Sequence, residues 1–98
     1  MLTATAVVVS DAAARYAKQL VAHLGHKVSV STVAGQPATW RFVFAYGVGV
    51  VRVAGGRLQL EAGAADPEAL ARVQDVLGRH LERFGRRGEL TVQWRAGA

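Results

Sequence analysis

The sequence predicts an α+β two-layer sandwich, a mainly antiparallel six-stranded sheet with two antiparallel helices on one face, in the order β-α-β-β-β-β-α-β. Three observations predict it. Two segments repeat apolar residues at helical spacing. The segments between and around them are strand-length runs of β-branched or alternating apolar residues. Glycine, proline and helix-capping residues punctuate the boundaries. At 98 residues, 51% of them hydrophobic, the chain is one domain with a single core.

The elements follow in order. Thr3 to Val9 is β-branched and reads as the first strand. Ser10 or Asp11 caps the first helix. Its buried stripe is Ala13, Tyr16, Ala17, Leu20, Val21 and Leu24, with Arg15, Lys18, Gln19 and Ala22 facing outward. Gly25 ends it as a residue free to take positive φ. Lys27 to Val33 is the second strand, followed by a turn at Ala34-Gly35-Gln36-Pro37. The third strand, Ala38 to Ala45, places Trp40, Phe42 and Phe44 on one face. Tyr46-Gly47 leads to a fourth strand over about Val48 to Val53, and Ala54-Gly55-Gly56 makes a tight hairpin to a fifth, Arg57 to Ala62. Asp66-Pro67-Glu68 supplies an N-cap, a proline at N1 and an acid in the first turn of the second helix. That helix buries Leu70, Val73, Val76, Leu77, Leu81 and Phe84, pairs Glu68 with Arg72 and Asp75 with Arg79 at i,i+4, and stops at Gly85. Glu89 to Arg95 alternates as a sixth strand, with Leu90, Val92 and Trp94 inward.

Composition narrows the function classes. No apolar run is long enough to span a bilayer, and the N-terminal residues lack the charged start of a secretory signal, so a cytoplasmic protein is expected. The absence of cysteine excludes disulfides, thiolate catalysis and cysteine-ligated metals. The net charge of +5 points to an anionic partner. Ten of the twelve basic residues are arginine, however, in a chain rich in Ala, Gly and Val, as GC-rich codon usage produces without selection for binding. A basic nucleic-acid-binding module is therefore the least favoured reading. No nucleophile elbow, P-loop, dinucleotide fingerprint or catalytic carboxylate pair is present.

The three histidines sit near helix C-termini, where partial negative charge favours a protonated imidazole. His23-x-x-His26 has a spacing that can chelate a divalent transition metal; the structural alternative packs His23 beside the apolar stripe and leaves His26 at the helix end. Strict up-and-down alternation would make each helix a crossover between parallel strands and set the helices antiparallel. It then places His23 and His26 near Asp66 and Glu68, either of which supplies a third ligand. His80 lies at the opposite end with Arg79, Arg83, Arg86 and Arg87, near Ser10, Asp11 and Arg15. On this reading the histidines form two separate corners. His80 borders the core stripe, which suits a half-buried imidazole hydrogen-bonded near a helix end, or a general base or ligand-binding group. The arginines suit a solvated face or an anion site for a carboxylate, phosphate or acidic surface.

Two blocks carry a family resemblance. Ala14-Arg15-Tyr16-Ala17-Lys18-Gln19-Leu20-Val21-Ala22-His23-Leu24-Gly25-His26-Lys27 is the first. Arg79-His80-Leu81-Glu82-Arg83-Phe84, continuing through Arg87, Glu89-Leu90 and Thr91-Val92-Gln93-Trp94, is the second. Together they resemble the small bacterial domain-of-unknown-function family numbered twenty-two eighteen, over nearly the whole chain. The resemblance makes Arg15, Tyr16, Lys18, Gln19, His23, His26, Lys27, His80, Arg83 and Phe84 signature positions. The chain departs from the family pattern in Gly47, Gly49 and Gly85-Arg86. Some members are similar to partners of, or fusions to, siderophore-interacting FAD-binding reductases, which implies an accessory role in iron acquisition.

The expectation is thus a non-enzymatic binding or accessory domain with no required cofactor. Arg15, Tyr16, Lys18, Gln19, Lys27, Arg79, His80, Arg83 and Arg87 are its ligand- or partner-binding residues, and a siderophore-interacting reductase is the implied partner. The outer sheet face is available for pairing with a second copy or with a larger protein partner. The alternative is a metal-binding protein or small metalloenzyme using His23 and His26.

Overall fold

A computed structural model describes residues 1–85 and 90–97. The elements are β1 (Leu2–Val9), α1 (Ala13–Leu24), β2 (Ser29–Thr32), β3 (Thr39–Phe44), β4 (Gly47–Ala54), β5 (Arg57–Ala64), α2 (Pro67–Phe84) and β6 (Arg95–Ala96). They form one six-stranded sheet in the order β2-β3-β4-β5-β1-β6, and every neighbouring pair is antiparallel. The predicted fold class and element order hold. Among the described residues no helix is long and apolar enough to cross a membrane.

The strands assemble as the residue pattern dictates. β4 and β5 join through Gly55 and Gly56, whose φ values of 55° and 73° are those of a two-residue turn with both central residues left-handed, where glycine costs least. In register, Val51 faces Leu60 and Gly49 faces Ala62 across this hairpin, while Trp40 and Phe42 of β3 face Val51 and Gly49. One sheet face therefore carries Phe42, Phe44, Val51, Leu58, Leu60 and Ala62 into the core, against Leu20 and Leu24 of α1 and Val73, Leu77 and Leu81 of α2. On the uncovered face Thr5, Glu61, Val50 and Arg41 lie in one cross-strand row, and Val7 and Val43 are exposed.

Gly47 and Gly49 have a packing reason. A Cβ on Gly49 would stand 2.8 Å from Leu77 Cδ1. One on Gly47 would stand 2.5 Å from the Gly63 carbonyl oxygen and 2.8 Å from Val73 Cγ2. The glycines let α2 lie directly on β4, which places the C-terminal half of the helix.

Each helix crosses over between parallel strands, as expected; β1 and β2 are separated by β5, β4 and β3, and β5 and β6 by β1. Several local expectations are corrected. Gly25 is right-handed (φ −61°) and its N–H donates to the Val21 carbonyl at 2.8 Å, so it prolongs the last turn of α1. Ala12 is the N-cap of α1 and makes no side-chain bond. Ser10 acts two residues earlier, its Oγ accepting from Ala12 N–H at 3.1 Å. The cap of α2 is as predicted: Asp66 Oδ1 accepts from Ala69 N–H at 2.8 Å, with Pro67 in the first turn. Arg79 meets Asp75 at 3.6 Å, but Arg72 lies over the Tyr46 ring, 3.9 Å from its centre, and makes no ion pair with Glu68 among the described residues.

The sixth strand shrinks to Arg95–Ala96, paired with Thr5 and Ala4; its predicted start at Glu89 lies outside the described residues. Leu90, Val92 and Trp94 still turn inward, but they pack along α2. Val92 and Trp94 border Gly78, Leu90 borders Gly85, and Val92 N–H donates to the Glu82 carboxylate at 2.9 Å. Alternation reports which side chains face the core. It does not say whether a strand or a helix lies alongside the backbone.

Candidate functional site

The site is built where α1 and α2 meet. The chain leaves β1 and must reach β2 at the far edge, four strand spacings or about 19 Å away. At 12 residues, α1 is about 18 Å long, so it has to run across the sheet as well as along it. Lateral displacement is absent from an up-and-down count, and it brings the last turn of α1 onto the C-terminal half of α2.

His23 and His80 are the result. Their ring centres lie 4.8 Å apart, with planes tilted by 51°. The His23 ring also meets Phe84 edge-on at 6.0 Å. The expected separation of the histidines into two corners is therefore wrong. His23 is not in acidic company either: Asp66 caps α2 and lines, with Glu68, Tyr46 and Arg72, a shallow depression at the start of that helix.

His80 is half-buried, one turn before Phe84. Its Nδ1 lies 2.6 Å from the Val76 carbonyl oxygen. A carbonyl only accepts, so Nδ1 carries the proton in this bond and the neutral ring keeps its lone pair on Nε2. The expectation of a half-buried, hydrogen-bonded imidazole near a helix end holds.

The electrostatics of the corner are one-sided. Desolvation, followed by the charges of His80, Lys27, Arg83 and His26, holds the His23 imidazole below its ordinary pKa of 6.5. Among the described residues, the charges that act on it are cationic. Glu82 adjoins Arg83 in sequence, but its carboxylate accepts from Val92 N–H. Among the described residues no group of three or more His, Cys, Asp or Glu side chains is placed to hold a metal ion. The corner suits an anion, and its chemistry is that of two imidazoles set among cations.

The remaining predicted residues divide. Lys27 and Arg83 join the corner through their action on His23. His26 follows α1 in the turn and acts on His23 as a neighbouring charge. Gln19 is exposed one turn before His23, a spacing that puts the two on one helix face. Lys18 is exposed, and Arg15 lies over the Tyr16 ring at 5.3 Å. Tyr16 is a core residue, 5% exposed. Arg79 is tied to Asp75 and is not among the charges acting on His23. Arg87, with Arg86, lies outside the described residues. The sequence reading missed the His23–His80 contact itself; the apolar stripes of both helices, which turn these residues toward the helix–helix seam, were the available signal.

No curated protein matches the chain. Among solved structures it is similar to the NMR structure of PA4090 from Pseudomonas aeruginosa, with a TM-score of 0.80 at 26% identity, covering 97% of this chain and 96% of that one. A family model described as "Uncharacterized protein conserved in bacteria (DUF2218)" matches residues 5–95. With that match spanning both helices and their histidines, the chain belongs to the DUF2218 family.

Proposed function

We propose that this chain is a binding or accessory domain whose recognition site is the cationic histidine corner between α1 and α2, and that the group it recognises is an anion of the carboxylate or phosphate class. The observation that carries the reading is the charge environment of His23: among the described residues Lys27 and Arg83 act on it as fixed cations, and the His80 imidazole joins them when it is protonated. Like charges held together repel one another, and an anion relieves that repulsion while accepting charge-assisted hydrogen bonds. Phe84, against the His23 ring, adds an apolar wall. The family resemblance supports the finer reading that the anion belongs to iron–siderophore metabolism, with a siderophore-interacting FAD-binding reductase as the protein served.

Titration of isotope-labelled protein with sodium sulfate and with citrate, followed by amide and imidazole NMR shifts, tests the site. Saturable shifts centred on His23, Lys27, His80 and Arg83 are expected, and they should shrink in Arg83→Gln. Shifts scattered over all arginines, or none up to tens of millimolar sulfate, would refute the reading.

A further inference from the structure

The two imidazoles at the corner have the spacing of ligands to one ion. With metal–nitrogen bonds of about 2.0–2.1 Å, two imidazoles on a common ion place their ring centres roughly 4.5–5.5 Å apart for angles between square-planar and tetrahedral. The His23–His80 separation of 4.8 Å falls in that range. His80 is also prepared for the task. A metal-ligating histidine donates its second ring N–H to a carbonyl or carboxylate, which fixes the tautomer and makes the other nitrogen more basic. The bond from His80 Nδ1 to the Val76 carbonyl does this and leaves Nε2 as the donor atom.

We propose that His23 and His80 form a two-imidazole seat for a divalent transition-metal ion of nitrogen preference, copper, nickel or zinc, and that an anion held by Lys27 and Arg83 completes its coordination. The second half rests on the anion reading above; the first does not. The two imidazoles select the ion class, and the anion offsets the cationic field of Lys27 and Arg83, which by itself opposes a dication. Calcium and magnesium need oxygen ligands, and no cluster of three potential ligands is present among the described residues. Borderline ions bind neutral imidazole and keep exchangeable positions for water or an anion. The protein then contributes two ligands from two helices, so the seat exists only in the folded chain. It also differs from the His23-x-x-His26 pair that sequence spacing suggests, because His80 takes the place of His26.

The test uses untagged, chelator-treated protein, titrated calorimetrically with Ni²⁺ and with Cu²⁺, with copper EPR to count coordinated nitrogens. One ion per chain is expected, with two nitrogen ligands. His80→Asn and His23→Asn should each weaken binding about tenfold or more, and His26→Asn should leave it within about threefold. His23 is an exposed residue, so its variant separates loss of a ligand from loss of the fold should His80→Asn misfold. Unchanged affinity in His23→Asn, or a loss in His26→Asn as large as in His23→Asn, would overturn the assignment. Sulfate is expected to tighten Ni²⁺ binding, and an unchanged or weakened affinity would overturn the co-ligand role. Sulfate binding without any Ni²⁺ or Cu²⁺ binding would sink the metal seat and leave the anion reading standing. Absence of both would remove the two together.

Discussion

Replacing Gly49 by alanine should show how tightly α2 is set on the sheet. The new Cβ would lie 2.8 Å from Leu77 Cδ1 and 3.6 Å from Cγ and Cδ2. Carbon atoms rest at about 3.5–4.0 Å, so Leu77 must retreat by roughly 0.7–1.2 Å. Leu77 is 0% exposed and has no solvent to retreat into. Overpacking of this kind costs about 1–3 kcal/mol. The loss of glycine's freedom in the unfolded chain offsets about 0.5–1 kcal/mol of it. The net expectation is a destabilisation of about 1–2 kcal/mol. Leu77→Ala alone should cost about 2–5 kcal/mol, since it leaves a cavity. The two changes meet in space, and the added methyl fills part of the volume that Leu77 vacates. The double variant should therefore be about as stable as Leu77→Ala, because a coupling of about 1–2 kcal/mol cancels the cost of Gly49→Ala. Urea unfolding of all four proteins, with equal m-values as the check on two-state behaviour, measures the cycle. Additive losses would refute the account that Gly49 exists to admit Leu77. The same displacement reaches the site: His80 is three residues beyond Leu77 on α2, so Gly49→Ala should also perturb the imidazole resonances of His23 and His80.

Two further outcomes follow from local chemistry. Asp66→Ala removes the acceptor of the Ala69 N–H at the start of α2 and should cost about 1 kcal/mol, or about 4–8 °C in thermal midpoint for a domain of this size; an unchanged midpoint would show that water replaces the cap without loss. His23 has a folded-state pKa below its ordinary 6.5. The unfolded chain therefore binds more protons in the interval just below that value, and stability rises with pH through it and falls as pH drops below 6.5. Thermal melts of chelator-treated protein at several pH values should rise less steeply in His23→Gln than in the wild type, and parallel profiles would remove His23 from the linkage.

The elements were legible because their signals are local. The stripes from Ala13 to Leu24 and from Leu70 to Phe84, the Asp66-Pro67 helix start and the Gly55-Gly56 hairpin each report a backbone geometry within a few residues. The glycines of β4 were harder to read. Gly47 and Gly49 look like departures from a pattern until α2 is laid upon them, since nothing nearby in sequence announces Val73 and Leu77. The candidate site divides the same way. His80 as a half-buried imidazole bonded within its own helix is a matter of i−4 spacing and could be anticipated.

The partnership of His23 with His80 could not. By itself the sequence determined the fold class, the order of elements, the faces each one buries and the cationic character of the helix ends, because periodicity and charge act over single turns and pleats. Only the tertiary structure decided that α1, carrying the chain across three strands to the far edge of the sheet, brings its last turn against α2. Strand order sets that lateral path, and it arises from pairings between residues distant in sequence. The same path joins two histidines 57 positions apart into one corner.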